Sequence, residues 1–404
     1  MNIFRKCYCR TFQAAFRLAL PLLPYRSPQL LSGIDRVPKV LRQQHCTRVL
    51  IVTDADITRL KLIRPLQQAL TRQGISWICY DKTMANPTTD NVEEAKALYL
   101  KHGVSAIIGV GGGSSLDCAK AAGARIVKPR QSLQKMKGIL KIRRRLPLLI
   151  AIPTTAGTGS EATLAAVITD SVTRRKYPIN DFVLIPDYAV LDPCITVSLP
   201  PFLTATTGMD ALTHAIEAYI GNSATRDTRK AARKAVHLIF TSLDQAFRDG
   251  TDIRARKCML TASYYAGCAF TKSYVGYVHA IAHSLGGEYG VPHGLANAVL
   301  LPSVLEAYGS SIHEKLRQLA IAAGLADRHT PRREAVKRFL DAIHEMKTRF
   351  GIPYAIPELR KEDIPKLAHY ADREANPLYP VPVLMDAVNR HEEWQKGVVV
   401  NNPE

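Results

Sequence analysis

The spacing of apolar residues divides the chain near Pro200 into two halves with different periodicity. Before Pro200, short apolar runs rich in β-branched residues predict four buried strands, over 48–54, 76–81, 105–110 and 146–155. Segments with helical spacing of apolar residues separate these strands. Continuous apolar strands that alternate with helices are typical of a parallel sheet covered by helices on both faces.

The second half of the chain predicts helices only. Three long segments have helical periodicity, and they cover 204–220, 227–250 and 332–353. The last of them ends in Gly-Ile-Pro, a combination typical of a helix terminus. We therefore expect an α/β domain at 45–200 followed by an all-helical domain at 201–404.

The segment 1–44 precedes the α/β half and opens with a predicted amphipathic helix over 3–20, which Pro21 and Pro24 end. Its apolar face carries Phe4, Tyr8, Phe12, Ala15 and Ala19, and its opposite face carries Lys6, Arg10 and Arg17. A basic amphipathic helix can lie in a membrane interface. It can equally dock on its own domain or on a partner subunit.

Five polar residues in the helical half have the spacing of a metal site. Asp210 and His214 are four residues apart, so on a helix they share one face and can bind one ion from adjacent turns. His279 and His283 repeat this spacing, and His293 follows a bend with a glycine and a proline. Carboxylate and imidazole groups are ligands of divalent first-row transition metals. The spacing therefore predicts a metal centre.

Two loops in the α/β half are suited to phosphate groups. The turn 111–114 (Gly-Gly-Gly-Ser) joins a buried strand to a helix, where backbone can approach a pyrophosphate. The loop 154–161, rich in threonine and glycine, also leaves a buried strand. Because such loops meet at the carboxyl edge of a parallel sheet, they predict a dinucleotide site. A metal-bearing helical half beside it would place the active site in the cleft between the two domains.

Asp54 ends the first predicted strand and allows two interpretations. An acid at this position can accept a hydrogen bond from a ribose hydroxyl and repel a 2′-phosphate, which favours NAD over NADP. It can instead cap the helix that begins near Ile57. The sequence leaves both open.

The net charge of +19 is concentrated in two segments. Residues 1–48 contribute +8, and residues 125–145 contribute +9 with no acidic residue. Neither matches a nucleic-acid-binding module, so an anionic membrane surface fits at least as well. Eight scattered cysteines indicate a reducing compartment, and no apolar run approaches the roughly 20 residues that span a bilayer. We therefore expect a cytoplasmic protein, and peripheral contact with an anionic membrane through the basic N-terminus is an alternative to docking of that segment on its own domain or a partner.

Five motifs, in chain order, resemble those of the iron-containing alcohol dehydrogenase family. They are GGGSSLDCAK, IPTTAGTGSEAT, LDP, GMDALTHAIEAY and HAIAHSLGGEYGVPHGLANAVLLP. The resemblance runs from about residue 48 to 390. It implies a dinucleotide-binding α/β domain, an all-α domain and the architecture of dehydroquinate synthase. Before it, SPQLLSG is interpreted as a degenerate form of the family's opening strand.

The resemblance assigns roles to the candidate residues. It implies that Asp210, His214, His279 and His293 bind the metal, and that His283 is a nearby catalytic residue and not a ligand. The implied metal is Fe2+, with Zn2+ as the alternative, and the implied cofactor is NAD, with NADP as the alternative. The implied dinucleotide contacts are Asp54, Asn86, Gly111, Gly112, Gly113, Ser114, Asp117, Thr154, Thr155, Thr158 and Lys176.

The predicted reaction is reversible hydride transfer between a primary or secondary alcohol and the dinucleotide, giving an aldehyde or ketone. His283 could relay the alcohol proton or orient a ligand. Two other functions stay open. One is a metal- and NAD-dependent lyase of the same architecture, and the other is a membrane- or partner-binding protein with a vestigial site. We expect a small alcohol or aldehyde substrate, a homodimer or higher homo-oligomer, and no specific nucleic acid.

Overall fold

The computed structural model describes residue 1 and residues 3–385, so the last part of the helical domain predicted to reach residue 404 lies outside the described residues. The chain forms two compact units. The α/β unit comprises residues 24–199 and 251–260. The helical unit comprises residues 1–23, 200–250 and those from 261 onward.

The α/β unit contains the described strands. They are β1 (Gln29–Leu31), β2 (Arg48–Val52), β3 (Ser76–Tyr80), β4 (Ala106–Gly111), β5 (Gly138–Ile139), β6 (Leu148–Pro153), β7 (Ala165–Thr169), β8 (Lys176–Asn180) and β9 (Tyr188–Val190). Six form a sheet in the order β1-β9-β6-β4-β2-β3, and every pairing in it is parallel. This confirms the predicted parallel sheet, and β1 confirms the degenerate opening strand.

The apolar runs of β2 and β4 are buried on both faces of this sheet. Leu50 and Ile107 belong to the core on one face, and Ile51 and Ile108 belong to the core on the other. Successive side chains of a strand point to opposite faces, so a run without polar residues requires cover on both sides. The helices of the unit supply that cover.

Those helices are α2 (Val37–Gln43), α3 (Ala55–Arg59), α4 (Arg64–Arg72), α5 (Thr89–Lys101), α6 (Gly113–Val127) and α7 (Leu133–Met136). The sequence pattern after β2 predicts one helical stretch through Leu70, but the structure has two helices there. Lys61 between them has a φ of 58°, in the left-handed region. Pro65 then lies in the first turn of α4, where its missing N–H costs no hydrogen bond.

A second sheet of three strands, in the order β5-β8-β7, was not predicted. The strands of this sheet are only two to five residues long, and β5 and β8 contain no continuous apolar run. The basic run 125–145 contributes α7 and β5. Its residues 143–145 are exposed.

The helical unit contains α1 (Ile3–Ala19), α8 (Pro201–Ile220), α9 (Arg226–Arg248), α11 (Tyr277–Tyr289), α12 (His293–Tyr308), α13 (His313–Ala322), α14 (Arg332–Arg349), α15 (Ile364–Ala375) and most of α10 (Ile253–Ser273). Among the described residues after Pro200 the regular elements are all helical, which confirms the predicted fold class. Within the described part of the chain, no helix has the length and apolar character needed to cross a membrane.

A buried lysine connects α6 to the segment that follows β6. The ammonium group of Lys120 donates to Ser160 Oγ at 2.9 Å, to Thr163 Oγ1 at 3.0 Å and to the carbonyl oxygen of Ala165 at 2.8 Å. The side chain is almost fully buried. Because both segments adjoin the predicted phosphate loops, Lys120 fixes the distance between the two loops.

Replacing Lys120 with methionine keeps most of the side-chain volume but removes these hydrogen bonds. We expect Lys120→Met to lower the free energy of unfolding of the α/β unit by about 2–4 kcal/mol, because buried oxygens lose their donor. Urea unfolding followed by tryptophan fluorescence measures this change. Lys135→Met, at an exposed position of α7, is the matched control and should leave the midpoint unchanged. An equally unchanged midpoint for Lys120→Met would contradict the prediction.

Candidate metal centre and dinucleotide loops

Three helices of the helical unit bring the predicted ligands together. α8 carries Asp210 and His214 one turn apart, α11 carries His279 near its start, and α12 begins at His293. One potential ligand atom from each of these four residues lies within 4.8 Å of the other three. The i, i+4 spacing on α8 thus places its two side chains toward one point, as expected for a helix.

The distances between these atoms suit one ion. Asp210 Oδ1 lies 3.5 Å from His293 Nε2, 3.8 Å from His279 Nε2 and 4.0 Å from His214 Nδ1. Ligand atoms that bind an ion at about 2.1 Å are separated by roughly 3 to 4 Å. Asp210, His214 and His279 are buried. One carboxylate and three imidazoles therefore fit a divalent transition metal in both chemistry and spacing.

A second carboxylate, Glu217, fixes the orientation of His279. Glu217 Oε2 lies 2.6 Å from His279 Nδ1, and the carboxylate also accepts from the backbone N–H groups of Gly276 and Val278. A Cβ on residue 276 would lie 2.6 Å from Glu217 Oε1, so only glycine allows this approach. With Nδ1 donating to Glu217, the lone pair of His279 Nε2 is available to a metal.

Burial controls the protonation of this pair. It lowers the pKa of His279 well below its usual value, and the neighbouring imidazoles of His214, His293 and His283 lower the pKa further. His279 is therefore neutral at neutral pH, as a metal ligand must be. Burial also raises the pKa of Glu217 to about 7, while its backbone donors oppose that shift.

Asn297, one turn into α12, lies at the same point. Its Nδ2 donates to Asp210 Oδ1 at 2.6 Å and lies 3.1 Å from His293 Nε2 and 3.2 Å from His279 Nε2. One donor group thus contacts three acceptor atoms, which shows that these lone pairs converge. Neither Asn297 nor Glu217 was among the residues predicted from the sequence. Glu217 nevertheless had a signal, because Asp210, His214 and Glu217 follow the i, i+4, i+7 spacing of one helix face.

His283 does not belong to this group of four. It lies one turn after His279 on α11, its side chain is 40% exposed, and its ring stacks on His293 with centroids 5.1 Å apart. Its Nδ1 lies 2.6 Å from Glu374 Oε1, which also accepts from the hydroxyl of Tyr379 at 2.7 Å. Partial burial of Glu374 opposes ionisation, but His283 and Tyr379 together lower the pKa of its carboxyl.

The two predicted phosphate loops meet in the α/β unit. The backbone N–H of Thr154 donates to the carbonyl oxygen of Gly111 at 3.0 Å. Gly111 has a φ of 147°, and a Cβ there would lie 2.6 Å from Ser115 Oγ. A Cβ on Gly113 would lie 3.0 Å from the methyl group of Thr158. Glycine at position 111 therefore lets α6 begin directly after the strand, and glycine at position 113 leaves room for Thr158 of the second loop.

Asp54 serves as a helix cap and also contacts the glycine-rich turn. Its Oδ1 accepts from the backbone N–H of Ile57 at 3.0 Å, at the start of α3. Its Oδ2 accepts from Ser115 Oγ at 2.9 Å, in the first turn of α6. The capping interpretation is thus correct, and the carboxylate also lies beside the predicted phosphate loop.

The remaining predicted dinucleotide contacts differ in their surroundings. Exposed Asn86 follows Ala85, whose carbonyl oxygen accepts a hydrogen bond from Ser114. The carboxylate of Asp117 already accepts from Ser160 Oγ and from a backbone N–H. Burial raises its pKa, with the ammonium of Lys120 opposing. Exposed Lys176 begins β8 in the three-stranded sheet.

Two models of protein families match most of the chain. The one described as iron-containing alcohol dehydrogenase matches residues 31–193. The one described as Fe-containing alcohol dehydrogenase family, C-terminal, matches residues 204–387. The first match covers the glycine-rich turn and the threonine-rich loop, and the second covers the four converging candidate ligands.

Individual proteins agree with these matches. The chain is 37% identical to alcohol dehydrogenase 4 of Saccharomyces cerevisiae (strain YJM789), over 85% of this chain and 89% of that protein. It is 36% identical to the NAD-dependent methanol dehydrogenase of Bacillus methanolicus, over 84% of this chain and 89% of that protein. A crystal structure of 1,3-propanediol oxidoreductase superposes with a TM-score of 0.88 at 33% identity, covering 92% of this chain and 99% of that one.

The converging ligands, the paired phosphate loops and these similarities agree with one another. The chain therefore belongs to the iron-containing alcohol dehydrogenase family, as a metal-dependent alcohol dehydrogenase that uses an NAD-type dinucleotide.

Proposed function

We propose that Asp210, His214, His279 and His293 hold a single ferrous ion, Fe2+, at which a small alcohol is oxidised. The convergence of their ligand atoms within 4.8 Å is the observation that carries this proposal. Bound at these residues, the metal would act as a Lewis acid on the alcohol oxygen, and the nicotinamide would accept the hydride. Imidazole and carboxylate also suit Zn2+, so Fe2+ rests on the family and not on the donor set.

The surrounding side chains have separate tasks. Glu217 keeps the Nδ1 proton of His279 in place, so that Nε2 faces the ion. His283 is exposed enough to exchange protons with water and lies against His293. We assign to it the transfer of the alcohol proton to solvent. Glu374 positions His283 through the hydrogen bond to Nδ1, and Tyr379 holds Glu374 in turn.

NAD is the proposed dinucleotide, with NADP as the less favoured alternative. Asp54 supports this choice because its carboxylate lies beside the glycine-rich turn and would repel a 2′-phosphate. The proposed dinucleotide-binding surface includes the turn 111–114, Thr154, Thr155 and Thr158. Asn86, Asp117 and Lys176 are proposed to border it.

The names of the relatives indicate a class of substrate and not one particular alcohol. Those proteins are named for methanol and 1,3-propanediol, so a small primary or secondary alcohol is proposed here. Net formation of NADH from a panel of such alcohols, using anaerobically purified enzyme of known metal content, tests the proposal. A metal- and NAD-dependent lyase of the same architecture would give no net NADH.

Removing one ligand should empty the metal site. We expect His214→Ala to lower the metal content of anaerobically purified enzyme at least tenfold and to abolish alcohol oxidation, because the ion loses one of four protein ligands. Elemental analysis gives the metal content. His237→Ala, on an exposed turn of α9, is the control and should retain both properties. Full metal content in His214→Ala would exclude His214 as a ligand.

Loss of the proton-transfer residue should affect turnover and not metal binding. We expect His283→Ala to keep its metal while kcat falls about 10²-fold to 10⁴-fold. Glu374→Ala should lower kcat about tenfold with little change in KM, because His283 remains but is no longer oriented. Glu362→Ala, at an exposed acid just before α15, is the control. Steady-state kinetics that are unchanged in His283→Ala would contradict the assignment.

The two tasks of Asp54 can be separated by one substitution. Serine also caps helices, so Asp54→Ser should preserve the start of α3 while removing the negative charge. We expect the ratio of kcat/KM for NADP to that for NAD to rise at least tenfold. Asp56→Ser, at an exposed acid in the same helical turn, should leave the ratio unchanged. If Asp54→Ser also leaves it unchanged, Asp54 is a cap only.

A further inference from the structure

Asn297 lies where the first turns of α12 pack closely on α8. It follows His293 by four residues, so the two side chains share one face of α12. Gly294 permits the close packing, because a Cβ there would lie 2.7 Å from the backbone carbonyl oxygen of Thr206 on α8. Asp210 lies one turn further along α8. The packing of the two helices therefore brings Asn297 to the Asp210 carboxylate.

The amide group of Asn297 presents its nitrogen to the proposed ligands. Nδ2 donates to Asp210 Oδ1 at 2.6 Å and lies 3.1 Å from His293 Nε2 and 3.2 Å from His279 Nε2. The side chain is fully buried, and its Oδ1 has no hydrogen-bond partner among the described residues. An unpaired buried acceptor is destabilising. The opposite orientation would place Oδ1 against the lone pairs of three ligand atoms, so the contacts of the NH2 group outweigh the unpaired oxygen.

Asp210 supplies the one carboxylate of the proposed ligand set, and Asn297 holds that carboxylate. Among the described residues, Asn297 is the donor that lies within hydrogen-bond distance of Asp210, and both side chains are buried. A hydrogen bond to a carboxylate is shorter and stronger than one between neutral groups. The bond therefore fixes the direction of Asp210 Oδ1, as the bond from Glu217 fixes the ring of His279.

The same NH2 group could instead compete with a metal ion for the lone pairs of the imidazoles, and the distances show which effect is larger. An amide NH2 has two hydrogens for these three acceptors, and its shortest contact is to Asp210. The contacts to His279 and His293 are longer and share the remaining hydrogen, so an ion displaces them readily. The bond to Asp210 can persist, because a carboxylate has about four lone-pair sites.

We propose that Asn297 is a positioning residue of the metal site, which holds Asp210 in its binding orientation and so sets the affinity of the site for divalent metal ions. This inference rests on the proposed function of Asp210, His214, His279 and His293 as ligands. The hydrogen bonds of the Asn297 side chain all go to atoms of that set. Residues that orient a ligand in this way typically change metal affinity by roughly 10-fold to 100-fold when they are replaced.

Replacing Asn297 with leucine keeps the branched shape of the side chain but removes the donor. We expect Asn297→Leu to raise the Kd for Co2+ at least tenfold and to change the visible absorption of bound Co2+, because Asp210 loses its fixed direction. Co2+ binds the same donor types as Fe2+ and Zn2+, and its absorption depends on coordination geometry. Titration of the chelator-treated full-length protein with Co2+ under inert gas measures both properties.

Two further variants complete this titration. Asn222→Leu is the matched control, because it also removes an amide donor from the helical unit, one that donates to the carbonyl oxygen of Val381 at 2.9 Å. It should bind Co2+ like the parent. Asn297→Ser leaves room for a water molecule that can donate to Asp210 in place of the amide. Its Kd should lie between those of the parent and Asn297→Leu, and it provides the test if the leucine variant does not fold.

Thermal unfolding separates a loss of metal affinity from a loss of stability. A bound ion stabilises the folded protein by an amount that depends on the ratio of its concentration to Kd. The rise in midpoint on adding a fixed concentration of Co2+ should therefore be smaller in Asn297→Leu than in the parent and unchanged in Asn222→Leu. A purely structural role would lower the midpoint equally with and without Co2+.

Two results would overturn this inference alone. One is Co2+ affinity and absorption like those of the parent in both Asn297 variants. The other is tighter binding by Asn297→Leu, which would show that the amide competes with the ion. A parent protein that binds no Co2+ would instead contradict the proposed ligand set, and this inference with it. Failure of the ligand assignment and failure of the role of Asn297 are thus distinguishable.

Discussion

The proposed metal site of this protein depends on the hydrogen bond between His279 Nδ1 and Glu217. This bond joins α11 to α8 inside the helical unit and fixes the tautomer of His279, so that Nε2 faces Asp210 and His293. The bond exists because Gly276 lets the start of α11 approach the Glu217 carboxylate closely. Burial removes water from the pair and keeps the imidazole neutral. The position of His279, its protonation state and the direction of its Nε2 lone pair therefore all follow from its buried contact with Glu217.

A comparable arrangement holds the dinucleotide loops in the α/β unit. Lys120 is buried among oxygens of the segment after β6, while its own helix begins at the glycine-rich turn. A buried cation with several acceptors is costly to rearrange, so the two loops keep a fixed separation. In both units a buried charged group supports the residues that would contact a cofactor, and those residues themselves stay accessible or polar.

The N-terminal helix shows how tertiary contacts select one outcome among those that its amphipathic pattern allows. The sequence left open whether the helix contacts a membrane, its own domain or a partner, and in the structure Gln13 and Arg10 hold it against its own unit. Backbone carbonyls near Tyr379 and Val381 offer acceptors that only polar side chains can use. Phe4 and Tyr8 remain exposed.

Local patterns in the sequence identified the strands and helices with a continuous apolar pattern, and the site residues that are close in the chain. Apolar runs marked β2, β4 and β6 because strands buried on both faces contain almost no polar residue. The i, i+4 spacing placed Asp210 with His214 on one helix face. The short strands β5 and β8 gave no such run, the apolar run of β7 was missed, and the break between α3 and α4 depended on the backbone at Lys61.

Which groups meet from distant parts of the chain depends on how the helices and strands pack. Glu374 lies 91 positions from His283, and Asn297 lies 87 positions from Asp210, so no periodicity could pair them. Packing also decided that Asp54 caps α3 while contacting Ser115, two tasks that the sequence left as alternatives. The physical reason is that local spacing reports only the direction of a side chain from its own helix or strand. Hydrogen bonds across the fold depend on how separate elements pack.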